Sequence, residues 1–352
     1  MGLWAVGSAD YKGLLFETPL MTALILVFTA LLGLCMGSFF NCFAWRIVHG
    51  ESVMKGRSHC PHCDHPLKAL DLIPVLSFLC LKGRCRYCGQ KLSARYLGAE
   101  LITALVFVSI VLFFDISWLT LQYLLLASVL LCISFADLED YLVPDRFIIA
   151  GIVIRLAFVL ALSDDIGQGL LDMLIGGLCV TVPLIILVLI ADKLLGRDTM
   201  GGGDIKLIFM TGLYFHWSNS LLMMIIACVL GILFAIVSGR TGGIAKWEDV
   251  SAEELAEAMA RSADGEETPA APEAEEAAAK LAAELEAARE QARVEQKAGK
   301  HPVEAIRGRE QREAEIMRQN RLIPFGPAIA AGAWVVLLVG DRIVDWYMGL
   351  FL

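Results

Sequence analysis

The sequence predicts an all-α polytopic membrane protein of about eight transmembrane helices with a small cytoplasmic zinc-ribbon-like loop, on three observations. Hydrophobic residues make up 57% of the 352, against about 45–50% in a soluble domain, and the mean hydropathy is +0.65. The apolar residues gather in runs at 19–45, 98–114, 119–136, 147–163, 173–191, 205–217, 220–238 and 323–340, most of them near the ~20 residues that cross a bilayer. Two Cys-x-x-Cys pairs interrupt this pattern in a polar loop after the first run.

Residues 1–46 form an N-terminal segment and the first span. No cleavable signal peptide is expected, because the first run starts late, lacks a basic leader and reaches full span length. Segment 47–96 is the polar loop, and 97–240 holds six helices. The 205–217 run is short, and short spans often border an intramembrane site. Residues 322–352 carry the last helix and a tail.

Basic residues orient the bundle. Arg46, Lys55, Arg57, Lys68, Lys82, Arg84, Arg86, Lys91 and Arg95 crowd the first loop, whereas the connections near 115–118, 164–172 and 217–219 carry no Lys or Arg. The positive-inside rule then makes that loop cytoplasmic and the N-terminus periplasmic. Eight spans put 137–146, 192–204 and 240–321 on the cytoplasmic side as well, in agreement with Lys193, Arg197, Lys206 and Arg240.

The net charge of −9 comes mostly from 248–315, rich in Ala and Glu. Nothing there resembles a nucleic-acid surface. Segment 241–321 reads as an acidic cytoplasmic insert, a solvated helix or a disordered stretch with a thin apolar stripe. Its partner is not legible.

Cys60, Cys63, Cys85 and Cys88 lie in "CPHCDHPLKALDLIPVLSFLCLKGRCRYCG". Each Cys-x-x-Cys turn sets two thiolates on one side of a tight knuckle, and two knuckles complete a tetrahedral sulfur shell suited to Zn²⁺. Pro61, Gly83 and Gly89 fit such turns. Four protein ligands leave no position for water, so the metal is structural. A cytoplasmic location argues against disulfides. His59, His62 and His65 crowd the first knuckle as substitute ligands.

Carboxylates are costly in a bilayer, and "SFADLEDYLVPDRF" and "MGGGDIKLIFM" bring Asp137 and Asp204 to one membrane face. Two carboxylates at close range cannot both ionise, so they share a proton, and such a pair supplies general base and general acid for peptide hydrolysis. Gly201, Gly202 and Gly203 would let a substrate backbone approach. The alternative is plainer: Asp204 as a helix N-cap and Asp137 as an interfacial polar residue.

These motifs together resemble the type IV prepilin peptidases, inner-membrane aspartic proteases of the GxGD class. The resemblance runs from "GSFFNCFAWR" through the two knuckles, "RYLGAE", "DLEDYLVPD" and "GGGDIKL" to "PFGP" at Pro324–Pro327. The family's pattern differs after Arg46, where a proline is usual, at "RYLGAE", where "RYP" is usual, and at Asp71, where Asn is common.

The resemblance implies an enzyme of the bacterial inner membrane. Its members cut the leader from type IV prepilins and type II secretion pseudopilins, and many N-methylate the new terminus with S-adenosyl-L-methionine. The family's catalytic aspartates fall on Asp137 and Asp204, and its metal-type cysteines on Cys60, Cys63, Cys85 and Cys88. Glu139, Asp140 and Asp145 fall outside the catalytic position. A Rossmann fingerprint is absent, so the methyl-donor site is not readable. A peptidase without methyltransferase activity, and a non-enzymatic metal-binding membrane protein or transporter, are the alternatives.

Overall fold

The computed structural model describes residues 18–48, 58–60, 63, 65–140, 142–195, 199–237 and 324–349. Pro61, His62 and the 241–321 insert lie outside the described residues. The helices are α1 (Pro19–Val48), α2 (Leu76–Cys80), α3 (Arg95–Phe114), α4 (Trp118–Asp140), α5 (Asp145–Leu162), α6 (Ile166–Leu195), α7 (Gly202–Gly212), α8 (Trp217–Val237) and α9 (Gly326–Gly349). A 3₁₀ turn at Ala69–Leu72 precedes α2. Among the described residues extended pairing is limited to the isolated bridges His59–Pro66 and Arg84–Lys91.

Each of the eight predicted runs becomes a helix, but the span count needs refining. Among the described residues six helices, α1, α3, α4, α6, α8 and α9, are long and apolar enough to cross a membrane. Helix α5 has 18 residues and carries Asp145, Arg146 and Arg155. Helix α7 has only 11 residues, about 16 Å at 1.5 Å per residue, roughly half the hydrocarbon thickness.

The outer faces remain apolar: Leu24, Phe28 and Leu31 on α1 and Leu187 and Leu189 on α6 are more than half exposed, as lipid-facing side chains are. Inside, Ile133, Leu207, Ile208, Met210, Tyr214 and Ile329 are fully buried and bring α4, α7, the segment after α7 and α9 into one core. Helix α1 lies so close to α3 that a Cβ on Gly37 would stand 2.7 Å from the Glu100 Cα; such small-residue contacts are how membrane helices pack backbone to backbone.

Polar contacts lock this arrangement. Arg155, 3% exposed, donates from Nε to the Leu213 carbonyl at 2.9 Å and lies over the Tyr214 ring. The Tyr214 hydroxyl donates to the Gly151 carbonyl at 2.7 Å. These two bonds tie α5 to the chain leaving α7. The Asn219 amide donates to Asp341 at 2.6 Å and Trp334 Nε1 to Ser109 at 2.9 Å, joining α9 to α8 and α3.

Candidate active site

Helix α4 runs four residues past the predicted end of its apolar run, so Asp137 lies in its last turn rather than beyond it. The side chain is buried, 4% exposed. Its Oδ2 accepts the backbone N–H of Gly326, the first residue of α9, at 2.7 Å. A Cβ on Gly326 would sit 2.8 Å from that same oxygen, so only glycine fits there without a shift.

Asp204 occupies the first turn of α7, partly buried. The N-cap position belongs to Gly201, in extended conformation with φ −65° and ψ 135°, which corrects the reading of Asp204 as the cap. Asp204 instead donates its own N–H to the Gly201 carbonyl at 3.1 Å. An acidic side chain in a first turn faces the positive end of the helix dipole. Asp204 is close enough for its charge to act on Asp137. Two helix N-termini, those of α7 and α9, thus converge on the pair.

The three glycines before Asp204 divide. A Cβ on Gly202 would meet open space, and one on Gly201 would meet only the Asp204 carboxylate. Gly203 stands against Val143, at 3.0 Å from a built Cβ to the Val143 Cβ, and so packs α7 on the α4–α5 connection.

Two neighbouring carboxylates are paired with cations. Glu139 pairs with Arg95 at 2.7 Å and Asp145 with Lys206 at 2.8 Å; the side chain of Asp140 lies outside the described residues. Asp137 and Asp204 make no ion pair among the described residues.

The first loop folds into two knuckles. Cys60 N–H donates to the His65 carbonyl at 3.1 Å, and Cys85 N–H to the Gln90 carbonyl at 2.9 Å. Gly83 and Gly89 adopt the positive φ of +67° and +72° that these turns need. The Sγ atoms of Cys60, Cys63, Cys85 and Cys88 all lie within 4.8 Å of one another, with Cys60 and Cys88 at 4.0 Å. A tetrahedral zinc with Zn–S bonds of ~2.3 Å separates its sulfurs by about 3.8 Å, so this cluster fits a metal with little adjustment. None of the four is in a disulfide. His59 packs edge-on against Trp45 and the His65 ring lies 3.7 Å from that of Tyr87.

Charge at the knuckles favours a cation. The Cys88 and Tyr87 N–H groups donate to Cys85 Sγ and, against desolvation, bring the thiol down to about 7. The His65 N–H favours a thiolate at Cys63, but desolvation and the neighbouring Cys60 and Cys88 outweigh it and push that thiol up to about 11. A second thiolate beside the first needs a positive partner. Behind the knuckles, desolvation of Asp71 is outweighed by the Lys68 N–H, the Tyr87 hydroxyl and Arg86, which hold its carboxyl below the usual range. Its bonds to Arg86 Nε (2.6 Å) and Tyr87 (3.0 Å) tie the second knuckle to the 3₁₀ turn.

Comparison with known proteins adds the lineage. The profile of the bacterial peptidase A24 N-terminal domain matches residues 31–114, and that of the type IV leader peptidase family matches 124–236. A protein of Aeromonas salmonicida named prepilin leader peptidase/N-methyltransferase is 37% identical over 301 residues, 86% of this chain and 77% of that one. The chain belongs to the type IV leader peptidase family. The similarly named protein of Myxococcus xanthus is 33% identical over 62% of this chain and 66% of its own length. That of Bacillus subtilis is 31% identical over 61% and 83%. No solved structure gives a significant match.

The leader peptidase profile covers both Asp137 and Asp204, and the N-terminal profile covers all four knuckle cysteines. The contribution of Gly326 lies beyond both profiles and was not legible from spacing. "PFGP" marks a helix start, but nothing in the pattern says which side chain that start faces.

Proposed function

We propose that this protein is a prepilin leader peptidase that cleaves the leaders of type IV prepilins and type II secretion pseudopilins, with Asp137 and Asp204 as the catalytic pair, and N-methylates the new terminus. The observation that carries the reading is a pair of carboxylates near enough for the charge of one to act on the other, without ion-pair partners among the described residues, one of them buried and bonded to Gly326. The names of the relatives support the substrate and the second activity.

In this mechanism the pair holds one proton. The ionised carboxylate removes a proton from water as its oxygen attacks the scissile carbonyl. The protonated carboxyl gives its proton to the developing oxyanion. Collapse of the tetrahedral intermediate breaks the C–N bond, and a carboxyl proton passes to the leaving amine. Gly201 and Gly202 leave room for the substrate backbone beside Asp204.

Methylation needs S-adenosylmethionine, which supplies an electrophilic methyl group. The neutral terminal amine attacks that carbon, the N–C bond forms as the S–C bond breaks, and one proton leaves to solvent. The by-product is the neutral thioether.

The same reading makes the Cys₄ metal a structural zinc, places the chain in the bacterial inner membrane among lipid and puts the N-terminus in the periplasm. The site end is then cytoplasmic, shared by the last turn of α4 and the first turns of α7 and α9. Segments 1–46, 47–96, 97–240, 241–321 and 322–352 are the working units. Incubating the purified protein with a prepilin and S-adenosylmethionine, then weighing the product's N-terminal peptide, tests it: loss of the leader with one added methyl group is expected, and an intact prepilin refutes the reading.

A further inference from the structure

The stretch from Leu70 to Leu79 holds an apolar surface that nothing among the described residues covers. Leu70, Leu72, Ile73, Leu76 and Leu79 are each more than a third exposed, and Leu70, Leu76 and Leu79 expose 59–66% of their surface. Single apolar residues on a surface are ordinary, but a patch of them marks a place of contact. The 3₁₀ turn and α2 pack on each other as a hairpin, which gathers these side chains. The one charge in the stretch, Asp71, is taken up by its bonds with Arg86 and Tyr87.

The fold fixes how deep this surface lies. Between the 3₁₀ turn and α2 the chain reverses at Val75, with φ 61° and ψ −53° and the Leu76 N–H donated to the Pro74 carbonyl. This is the rare, strained form of γ-turn. It leaves the Val75 N–H to donate outside the hairpin, to Glu100 Oε2 of α3 at 2.7 Å. Glu100 in turn lies beside α1, where a Cβ on Gly37 would stand 2.7 Å from the Glu100 Cα. From Pro19 to Gly37 helix α1 rises about 27 Å, close to the ~30 Å of a hydrocarbon core. The tip of the hairpin is therefore held at the rim of the bilayer, level with Leu101 and Ile102 of α3, both half exposed.

Charge says what covers the patch. From His65 to Tyr96 the chain carries Lys68, Lys82, Arg84, Arg86, Lys91 and Arg95 against Asp71 alone. Arg86 pairs with Asp71 and Arg95 with Glu139. Lys68, Lys82, Arg84 and Lys91 are exposed and make no ion pair among the described residues. Lys68 and Lys82 bracket the hairpin, and Arg84 and Lys91 form the backbone bridge that follows it. Anionic phospholipid supplies both halves of the complement at this depth: acyl chains for the leucines and phosphates for the bases.

We propose that the hairpin from Ala69 to Leu81 is an interfacial membrane anchor. It seats Leu70, Leu76 and Leu79 among the acyl chains of anionic phospholipid, while Lys68, Lys82, Arg84 and Lys91 bind the phosphates. The loop with its cysteine knuckles is thus held down at its middle, as it is by α1 and α3 at its ends.

The full-length protein in lipid nanodiscs tests this in two ways. A benzophenone amino acid placed at Leu76 or Leu79 should form lipid adducts under light, as it should at the lipid-facing Leu187 of α6, and none at the exposed Gln90 of the second knuckle. Adducts at Leu187 without any at Leu76 or Leu79 overturn the proposal. So does capture of a second copy at either position, which would make the patch a protein interface.

The second reading uses the wild-type chain. Adding phosphatidylglycerol to phosphatidylcholine discs should slow hydrogen exchange of the 76–80 amides about fivefold or more, the effect of a single base on an anionic lipid. Combining Lys68→Gln, Lys82→Gln, Arg84→Gln and Lys91→Gln should abolish that slowing. Equal exchange of wild type in the two lipids overturns the proposal, as does a slowing that survives the four substitutions.

Discussion

The backbone N–H of Gly326 donates to Oδ2 of Asp137 at 2.7 Å, across 189 residues of chain. The last helix thus begins on one of the two proposed catalytic carboxylates, and the segment before it is the acidic insert.

Gly326→Ala is therefore expected to impair cleavage without unfolding the bundle. Its Cβ would sit 2.8 Å from Oδ2, and a displacement of about 1 Å at a reacting group can cost about 10²-fold in rate. Leader cleavage by the purified variant measures this; a wild-type kcat would show that the contact does not position Asp137.

Tyr214→Phe removes the hydroxyl that donates to the Gly151 carbonyl. Leaving a buried carbonyl unpaired costs about 1–3 kcal/mol, so the thermal midpoint in detergent should fall. An unchanged midpoint would mean that this hydroxyl adds nothing and that the Arg155–Leu213 bond and apolar packing hold α5 to the chain after α7.

The four thiols predict about one tightly held zinc per chain. Metal analysis of wild type should find it, and Cys60→Ser or Cys85→Ser should lose it and loosen the knuckles. Absence of zinc together with alkylation of all four thiols in the folded protein would contradict the metal reading.

Asp71 adds a pH dependence with a defined sign. Its carboxyl titrates below the ordinary value of 3.8 when folded, so it stabilises the loop above that value and ceases to as pH falls through the lower folded value. Hydrogen exchange at the knuckles should show Asp71→Asn less protected than wild type at neutral pH, the gap closing only in strong acid. No gap at neutral pH would sink this contribution.

Much of this was readable in the chain, for physical reasons. Apolar runs of bilayer length have few other uses, so the helices were legible, as were the knuckles from paired cysteines. The charge on α5 and the brevity of α7 blurred the count of full spans, because an embedded Arg155 finds its partners at Leu213 and Tyr214, 58 and 59 positions away. The role of Asp204 as a cap was misread because Gly201 takes that position through backbone conformation alone. The Gly326 contact has no local signature; it arises when distant helices meet.

The central claim is that Asp137 and Asp204 act together. Mass analysis of a prepilin's N-terminal peptide after incubation with wild type, Asp137→Asn and Asp204→Asn tests it most directly. The account predicts leader removal by wild type and an intact prepilin with either variant, each still membrane-inserted and zinc-loaded. Full processing by either variant would contradict it.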